Sequence, residues 1–111
     1  MKEVSLIDKA IERFMDRRRP PEYIRDELDL GYTYQNQVLE IFEVRPQFMD
    51  ESKIVHIPVA KSRYIKSKGI WKIYWMRGNG KWVPYDPQPE VKTVDEFLAI
   101  VDEDAFACFF G

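Results

Sequence analysis

The sequence predicts an α+β two-layer sandwich, in which N- and C-terminal helices pack on one face of an antiparallel sheet of four to five strands. Three observations lead to this fold class: an apolar stripe at helical spacing, a middle region of alternating apolar residues, and a capping sequence before a second stripe. With 111 residues, 45% of them hydrophobic, the chain has the size and apolar content of one domain, spanning 1–111.

The first helix is predicted by apolar residues that recur three and four positions apart. These are Val4, Ile7, Ala10, Ile11, Phe14 and Met15. Three arginines at 17–19 suit the end of this helix, where the helix dipole favours cations. Pro20 and Pro21 then prevent its continuation.

A first pair of strands follows. Apolar and polar residues alternate across 27–35, which is the period of a half-buried strand. Residues 38–45 are rich in strand formers and give the second strand, after a turn at 35–37. We expect a loop over 47–53. The next segment, IVHIPVA, is predicted to be a short edge strand, because Pro58 cannot donate a ladder hydrogen bond.

The composition of residues 61–85, KSRYIKSKGIWKIYWMRGNGKWVPY, differs most from that of the rest of the chain. They hold seven basic residues, no acidic residue and all three tryptophans. Two runs, IWKIYWMR and KWVPY, predict a hairpin across the Gly-Asn-Gly turn. Alternation places Trp71, Ile73 and Trp75 on the face beneath the helices, and Lys72 and Tyr74 on the other face.

The end of the chain predicts a second helix. Thr93 and Glu96 form a capping box ahead of an apolar stripe that runs from Val94 to Val101. The terminal segment AFACFFG is too apolar for a free tail, so we expect Phe106, Phe109 and Phe110 to dock onto the core.

Charge is strongly segregated along the chain. Residues 59–85 carry a net charge of +7, whereas residues 86–111 carry −6. The acidic end is expected to lie near the basic hairpin and to offset its charge; the alternative is a molecule with two opposite poles. No apolar run approaches the ~18 residues that span a bilayer, and the single cysteine, Cys108, fits a reducing cytoplasm.

The basic segment has two interpretations. One is a single-stranded nucleic-acid surface, on which Tyr74 and Tyr85 stack on bases and lysines contact phosphates. The candidate lysines are Lys66, Lys68, Lys72 and Lys81. The other treats the tryptophans as core and the lysines as edge protection, and a pI near 5.5 favours it.

The leading functional hypothesis is a non-enzymatic binding or interaction module that uses an open sheet face, with a homodimer through the sheet as one form. The residues chosen as its binding site are Lys66, Lys68, Lys72, Tyr74 and Tyr85. Neither the ligand nor the partner follows from the sequence, and membrane association is not expected.

A small metal-dependent nuclease is the enzymatic alternative. Asp29, followed by Glu43-Val44-Arg45 on the next strand, is similar to the carboxylate pattern that holds Mg²⁺ in such enzymes. Arg45 stands where lysine is needed, which weakens the match. His56 has no partner for a dyad and is interpreted as a loop residue, and Cys108 as a small buried hydrophobe. No catalytic residue, metal ligand or cofactor is predicted.

Several long motifs resemble a bacterial family of short proteins known only as a domain of unknown function. They are RRPPEYIRDELDLGY, EIFEVRP, KSKGIWKIYWMR, KWVPY and VDEFLAIVDEDAFACFFG. The resemblance covers nearly the whole chain and implies a bacterial, cytoplasmic protein. It brings no activity, cofactor or site residue that can be transferred to these positions.

Overall fold

The computed structural model describes residues 6–110. Its helices are α1 (Leu6–Arg18) and α2 (Val94–Glu103), with a short 3₁₀ turn at Glu22–Ile24. Its strands are β1 (Asp29–Gln35), β2 (Val38–Pro46), β3 (Ile54–Ile65), β4 (Ile70–Met76), β5 (Trp82–Pro84) and β6 (Glu90–Val91). Within these residues, no helix has both the length and the apolar character needed to cross a membrane.

The strands form one antiparallel sheet in the order β1-β2-β3-β4-β5. The two-residue strand β6 pairs with the opposite end of β4 from β5, so β5 and β6 share the last edge of the sheet. Both helices lie on one face, where their apolar stripes pack against alternate side chains of the strands. The predicted fold class is therefore confirmed.

The core lies between this face and the helices. Helix α1 contributes Ala10, Ile11, Phe14 and Met15 as predicted, while Val4 lies outside the described residues. The sheet contributes Leu39, Ile41, Trp71 and Ile73, and α2 contributes Val94, Phe97, Leu98 and Val101. Ser62 is the buried polar side chain among them, and its hydroxyl is satisfied because it donates to the carbonyl of Lys72 at 2.9 Å.

The turn between β1 and β2 has an unusual backbone. Asn36 and Gln37 both have positive φ, 52° and 65°. These values are typical of the two-residue hairpin turns whose twist matches that of the strands they join. The turn fixes a register in which Gly31 lies opposite Phe42 and Leu30 opposite Glu43.

Strand β3 differs most from the sequence prediction. It is a twelve-residue strand in the middle of the sheet, not a short edge strand, and it continues to Ile65, inside the basic segment. Its partner register shifts between Ile41 and Phe42, which leaves Val59 as an extra residue in a β-bulge. Pro58 is tolerated because β4 pairs with β3 only from Ala60 onward, so the edge of β3 facing away from β2 is unpaired at the proline.

The C-terminal helix begins and ends at clear signals. The Thr93 hydroxyl accepts from the Glu96 amide at 3.2 Å, as the capping box predicts. Asp104 follows the helix with a positive φ of 45°, and the chain then turns back. Phe109 docks into the core as expected, but Phe106 does not and remains mostly exposed.

Candidate functional site: the open face of the sheet

The helices cover one side of the sheet, and we call the other side the open face. Its members follow from strand alternation and from the cross-strand register. They include Thr33, Glu40, Phe42, His56, Lys61, Arg63, Lys72, Tyr74, Met76, Trp82 and Glu90. Four rings and three cations therefore share a surface that no element within residues 6–110 covers.

The centre of the open face is a lysine placed between two rings. Lys61 lies opposite Tyr74 in the ladder, and its ammonium is 5.3 Å from the ring centroids of both Tyr74 and Trp82. This separation is within the range of cation–π attraction. The two contacts hold the lysine over the face instead of leaving it to sample solvent freely.

A second aromatic group adjoins the first. The rings of Phe42 and His56 are stacked at 4.3 Å with 13° between their planes. With Trp82, Glu40 and other residues they line a shallow hollow of about 290 Å³. Gly31 makes room for this arrangement, because a β-carbon there would lie 2.7 Å from an atom of the Phe42 ring.

Two like charges face each other beside this centre. Arg63 and Lys72 are direct partners on β3 and β4, and alternation puts both on the open face. Like charges directly opposite each other destabilise a strand pair unless something neutralises them. Glu90 is the partner of Lys72 on the other side, but no ion pair joins them. An anion bound here would relieve the repulsion.

The structure places the five predicted site residues in three different environments. Lys72 and Tyr74 lie on the open face, and both are half-buried. Lys66 and Lys68 lie in the exposed β3–β4 turn at the end of the same face. Whether any of them binds a ligand stays a prediction.

The prediction that Tyr85 is an exposed stacking residue is wrong, because the structure places its side chain in the core. Its ring is 3% exposed and packs on Phe109 at 5.0 Å. Its amide donates to the carbonyl of Ile73, which turns the side chain inward past the end of β5. Burial raises the pKa of the Tyr85 phenol above its ordinary value. Docking of the chain end onto the sheet is what covers this ring.

Trp82 takes the place on the open face that the sequence reasoning gave to Tyr85. Trp71 and Trp75 do face the helices as predicted, but the pairing of Trp82 with Met76 puts it on the opposite side. The position of Trp82 follows from the alternation of KWVPY, provided that the turn at Gly-Asn-Gly is known to place Trp82 opposite Met76. His56 is likewise a strand residue of this face and not a loop residue.

The acidic end of the chain adjoins the basic segment at β6, where Glu90 is the strand partner of Lys72, but its ion pairs are made with α1. Its Asp95 pairs with Arg13, and its Asp102 with Arg17 and Arg18, all on the helix side of the sheet. None of the ion pairs found within residues 6–110 involves the segment 61–85. The acidic segment therefore lies beside the hairpin as expected, but Asp95 and Asp102 pair with arginines of α1 and not with the basic segment.

The carboxylates of the nuclease hypothesis are held by arginines. Asp29 accepts from Arg19 at 2.9 and 2.7 Å, and this bond holds the pKa of the Asp29 carboxyl below its ordinary value. Glu43 accepts from Arg45 at 3.0 Å. The two carboxylates line one small hollow, but residues 6–110 contain no group of three or more His, Cys, Asp or Glu placed to hold a metal. This geometry fits structural ion pairs.

Two further side chains, Cys108 and Arg25, have structural explanations. Cys108 is half-buried, and burial raises the pKa of its thiol, so the reactive thiolate is disfavoured. Arg25 donates to the carbonyl of Pro20 at 3.0 Å, a bond that closes the loop after α1.

Comparisons with known proteins give a family without an assigned chemistry. A search of curated proteins found no match, and a search of solved structures found none either. A family model described as "Domain of unknown function (DUF3024)" matches residues 1–111, which is the length of the chain. The chain therefore belongs to the DUF3024 family.

Proposed function

We propose that this protein is a non-enzymatic binding module whose open face binds single-stranded nucleic acid. The observation that carries the proposal is the arrangement of Lys61 between the rings of Tyr74 and Trp82, on a side of the sheet that neither helix covers. Bases stack on the two rings, and the backbone phosphates follow the cations beside them.

The cations supply the phosphate contacts. Arg63 and Lys72 lie directly opposite each other, and Lys66 and Lys68 continue the positive charge to the end of the sheet. A phosphate between Arg63 and Lys72 removes their repulsion, so binding gains more there than at two separated surface cations.

The aromatic residues favour a single strand. Bases in a duplex are stacked on each other and expose only their edges, whereas bases of a single strand can be laid flat on a sheet. The rings of Tyr74 and Trp82, with the Phe42–His56 stack beyond them, form such a platform. The acidic overall pI does not oppose the proposal, because Asp95 and Asp102 of α2 pair with arginines of α1 on the other side of the molecule.

The test is fluorescence anisotropy with fluorescein-labelled 12-mers of deoxythymidine and of uridine, titrated with protein over a series of salt concentrations. We expect saturable binding that weakens as salt rises, because phosphate contacts release counterions. Tyr74→Ala and Trp82→Ala are each expected to weaken binding about tenfold or more, which is the typical effect of losing one stacked base. Lys72→Glu should weaken binding and lower the slope of affinity against salt.

Lys9→Glu is the matched control, since Lys9 is exposed on α1, on the other side of the sheet. It makes the same change in net charge and should leave the affinity within about twofold, as a site distant from the contact. Equal losses for Lys9→Glu and Lys72→Glu would show a general charge effect and overturn the proposal. Failure of both oligonucleotides to bind at low salt would also overturn it.

A further inference from the structure

The hollow on the open face contains a carboxylate that its strand neighbours leave free. Glu40 lies on β2, where it is the ladder partner of Thr33 on β1 and of Lys61 on β3. Its side chain is half-buried and lines the hollow beside the stacked rings of Phe42 and His56. Within residues 6–110, the Glu40 carboxylate makes no hydrogen bond and no ion pair.

Lys61 is the cation best placed to neutralise Glu40, but it is directed elsewhere. Its ammonium is 5.3 Å from the ring centroids of Tyr74 on β4 and Trp82 on β5. These rings lie on the side of β3 away from β2, so the lysine leans away from its acidic strand partner. Both oxygens of Glu40 therefore keep free acceptor positions in a hollow that is otherwise largely aromatic.

A free carboxylate is an unexpected group on a surface that binds a polyanion. It repels the phosphates that the neighbouring cations attract, and like charges brought together across an interface are costly. A nucleobase changes this balance, because its N–H groups can donate to the carboxylate and satisfy it. Glu40 is therefore suited to contact a base and not the backbone, and the choice of base depends on where the N–H donors lie.

The hydrogen-bonding edges of the bases differ in their fit to a carboxylate, which accepts hydrogen bonds and donates none. Guanine alone among the common bases has two adjacent N–H donors on its Watson–Crick edge, at N1 and N2. Adenine and cytosine have a ring nitrogen acceptor beside their amino group, and thymine and uracil have carbonyl oxygens on both sides of N3–H. In these four bases an acceptor would face a carboxylate oxygen, whereas guanine can make two charge-assisted bonds.

We propose that the hollow is a guanine site, in which the Glu40 carboxylate accepts from the N1–H and N2–H groups of the base. The ring of the base stacks on the aromatic side chains that line the hollow, Phe42, His56 and Trp82. The volume of about 290 Å³ lies at the lower end of ligand pockets, which begin near ~300 Å³, and suits one base. This inference rests on the proposed function and gives it a base preference.

Fluorescence anisotropy tests the preference with labelled 12-mers of deoxythymidine in which one central base is varied. The strand with guanine is expected to bind about tenfold more tightly than the all-thymidine strand, as for one good bidentate contact. Adenine stacks as a purine but lacks the two donors, so its strand should bind like the all-thymidine strand. Hypoxanthine keeps N1–H and lacks the 2-amino group, so its strand should bind more weakly than the guanine strand.

Glu40→Gln tests the residue itself. The amide keeps one acceptor and loses the charge, so the preference for guanine should fall to about threefold or less. Affinity for the all-thymidine strand should stay the same or rise, since a negative charge leaves the surface. A merely structural role for Glu40 would instead weaken binding of every strand. Glu12→Gln, on the exposed side of α1, makes the same change in charge and should keep the tenfold preference.

The outcomes separate this inference from the proposed function. If no strand binds at low salt, both are overturned. If the all-thymidine strand binds and the guanine strand binds no more tightly than the adenine strand, only the guanine site is overturned. Equal affinity for the guanine and hypoxanthine strands would also overturn it, as would a full guanine preference in a Glu40→Gln variant that circular dichroism shows to be folded. If that variant does not fold, the series of bases on the wild type decides.

Discussion

At the scale of single residues, Asp104 has an unusually large share in fixing the end of the chain. It occupies a left-handed conformation with φ of 45° directly after α2. Its carboxylate accepts from the amides of Phe109 at 3.0 Å and Phe110 at 2.9 Å. These bonds turn the last residues back, so that Phe109 covers Tyr85 and the Phe110 ring lies 4.1 Å from the Arg18 guanidinium.

Replacing Asp104 by alanine should destabilise the fold by about 2–3 kcal/mol, because two amides lose their acceptor and alanine is strained at positive φ. Asp104→Gly should cost less, since glycine accepts the same backbone without strain. Urea unfolding measures both, with Glu103→Ala as the exposed neighbouring control. An Asp104→Ala loss no larger than that of Glu103→Ala would contradict the role given to the carboxylate.

At the scale of elements, the turn of the β1–β2 hairpin contains backbone strain that one substitution should relieve. Gln37 has φ of 65°, where a non-glycine residue pays about 1–2 kcal/mol, and the best residue pair for this turn is Asn-Gly. Gln37→Gly should therefore stabilise the protein by about 0.5–1 kcal/mol, after subtraction of the entropy that glycine loses on folding.

Thermal and urea unfolding check the Gln37→Gly prediction. Gln35→Gly, two positions earlier in extended strand, is the matched control and should lose stability by a similar amount. Equal destabilisation by both glycines would show that the turn does not carry the strain.

How much could be predicted also depends on the element. Helices α1 and α2 and the inner face of β4 follow from periodicity, because each buries one regular stripe against the sheet. Strand β3 does not, because its second half carries basic residues and its first half contains Pro58. The bulge that accommodates the proline arises from pairing with β2, which no local pattern reports.

The candidate site was predictable only in part. Lys72 and Tyr74 were placed correctly by alternation alone. Trp82 and Tyr85 were exchanged, because the facing of a three-residue strand depends on the register across its turn and on where the chain docks afterwards. Asp102 pairs with the arginines of α1 and not with the basic segment 61–85. The net charges of segments do not predict this, because it depends on how the elements pack.

At the scale of the whole molecule, charge and shape divide the protein into separate regions. The helix side pairs its own charges, and the open face concentrates cations and rings. The outer part of the β2–β3 hairpin, residues 46–54, which we call the arm tip, lies outside both, since none of its residues belongs to the buried core. Stability and binding should therefore be separable by mutation.

Excision of the arm tip tests this separation. Replacing residues 46–54 by Asn-Gly joins Arg45 to Val55, a hydrogen-bonded pair that a two-residue turn can close. The free energy of unfolding should stay within about 1 kcal/mol of the wild type, because no core side chain is lost. Urea unfolding measures this, and a radius of gyration from X-ray scattering should decrease. A loss of several kcal/mol would show that the arm tip supports the core.

The bulge at Val59 changes which residues of β3 face each side of the sheet. A strand presents its residues to two sides in strict alternation, and one extra residue exchanges the two sides for everything beyond it. If Val59 were instead paired as an ordinary strand residue, Pro58 would turn toward β2, where its missing N–H would interrupt the ladder, and His56 would leave the open face. The bulging of Val59 out of the ladder is therefore what keeps Pro58 turned away from β2.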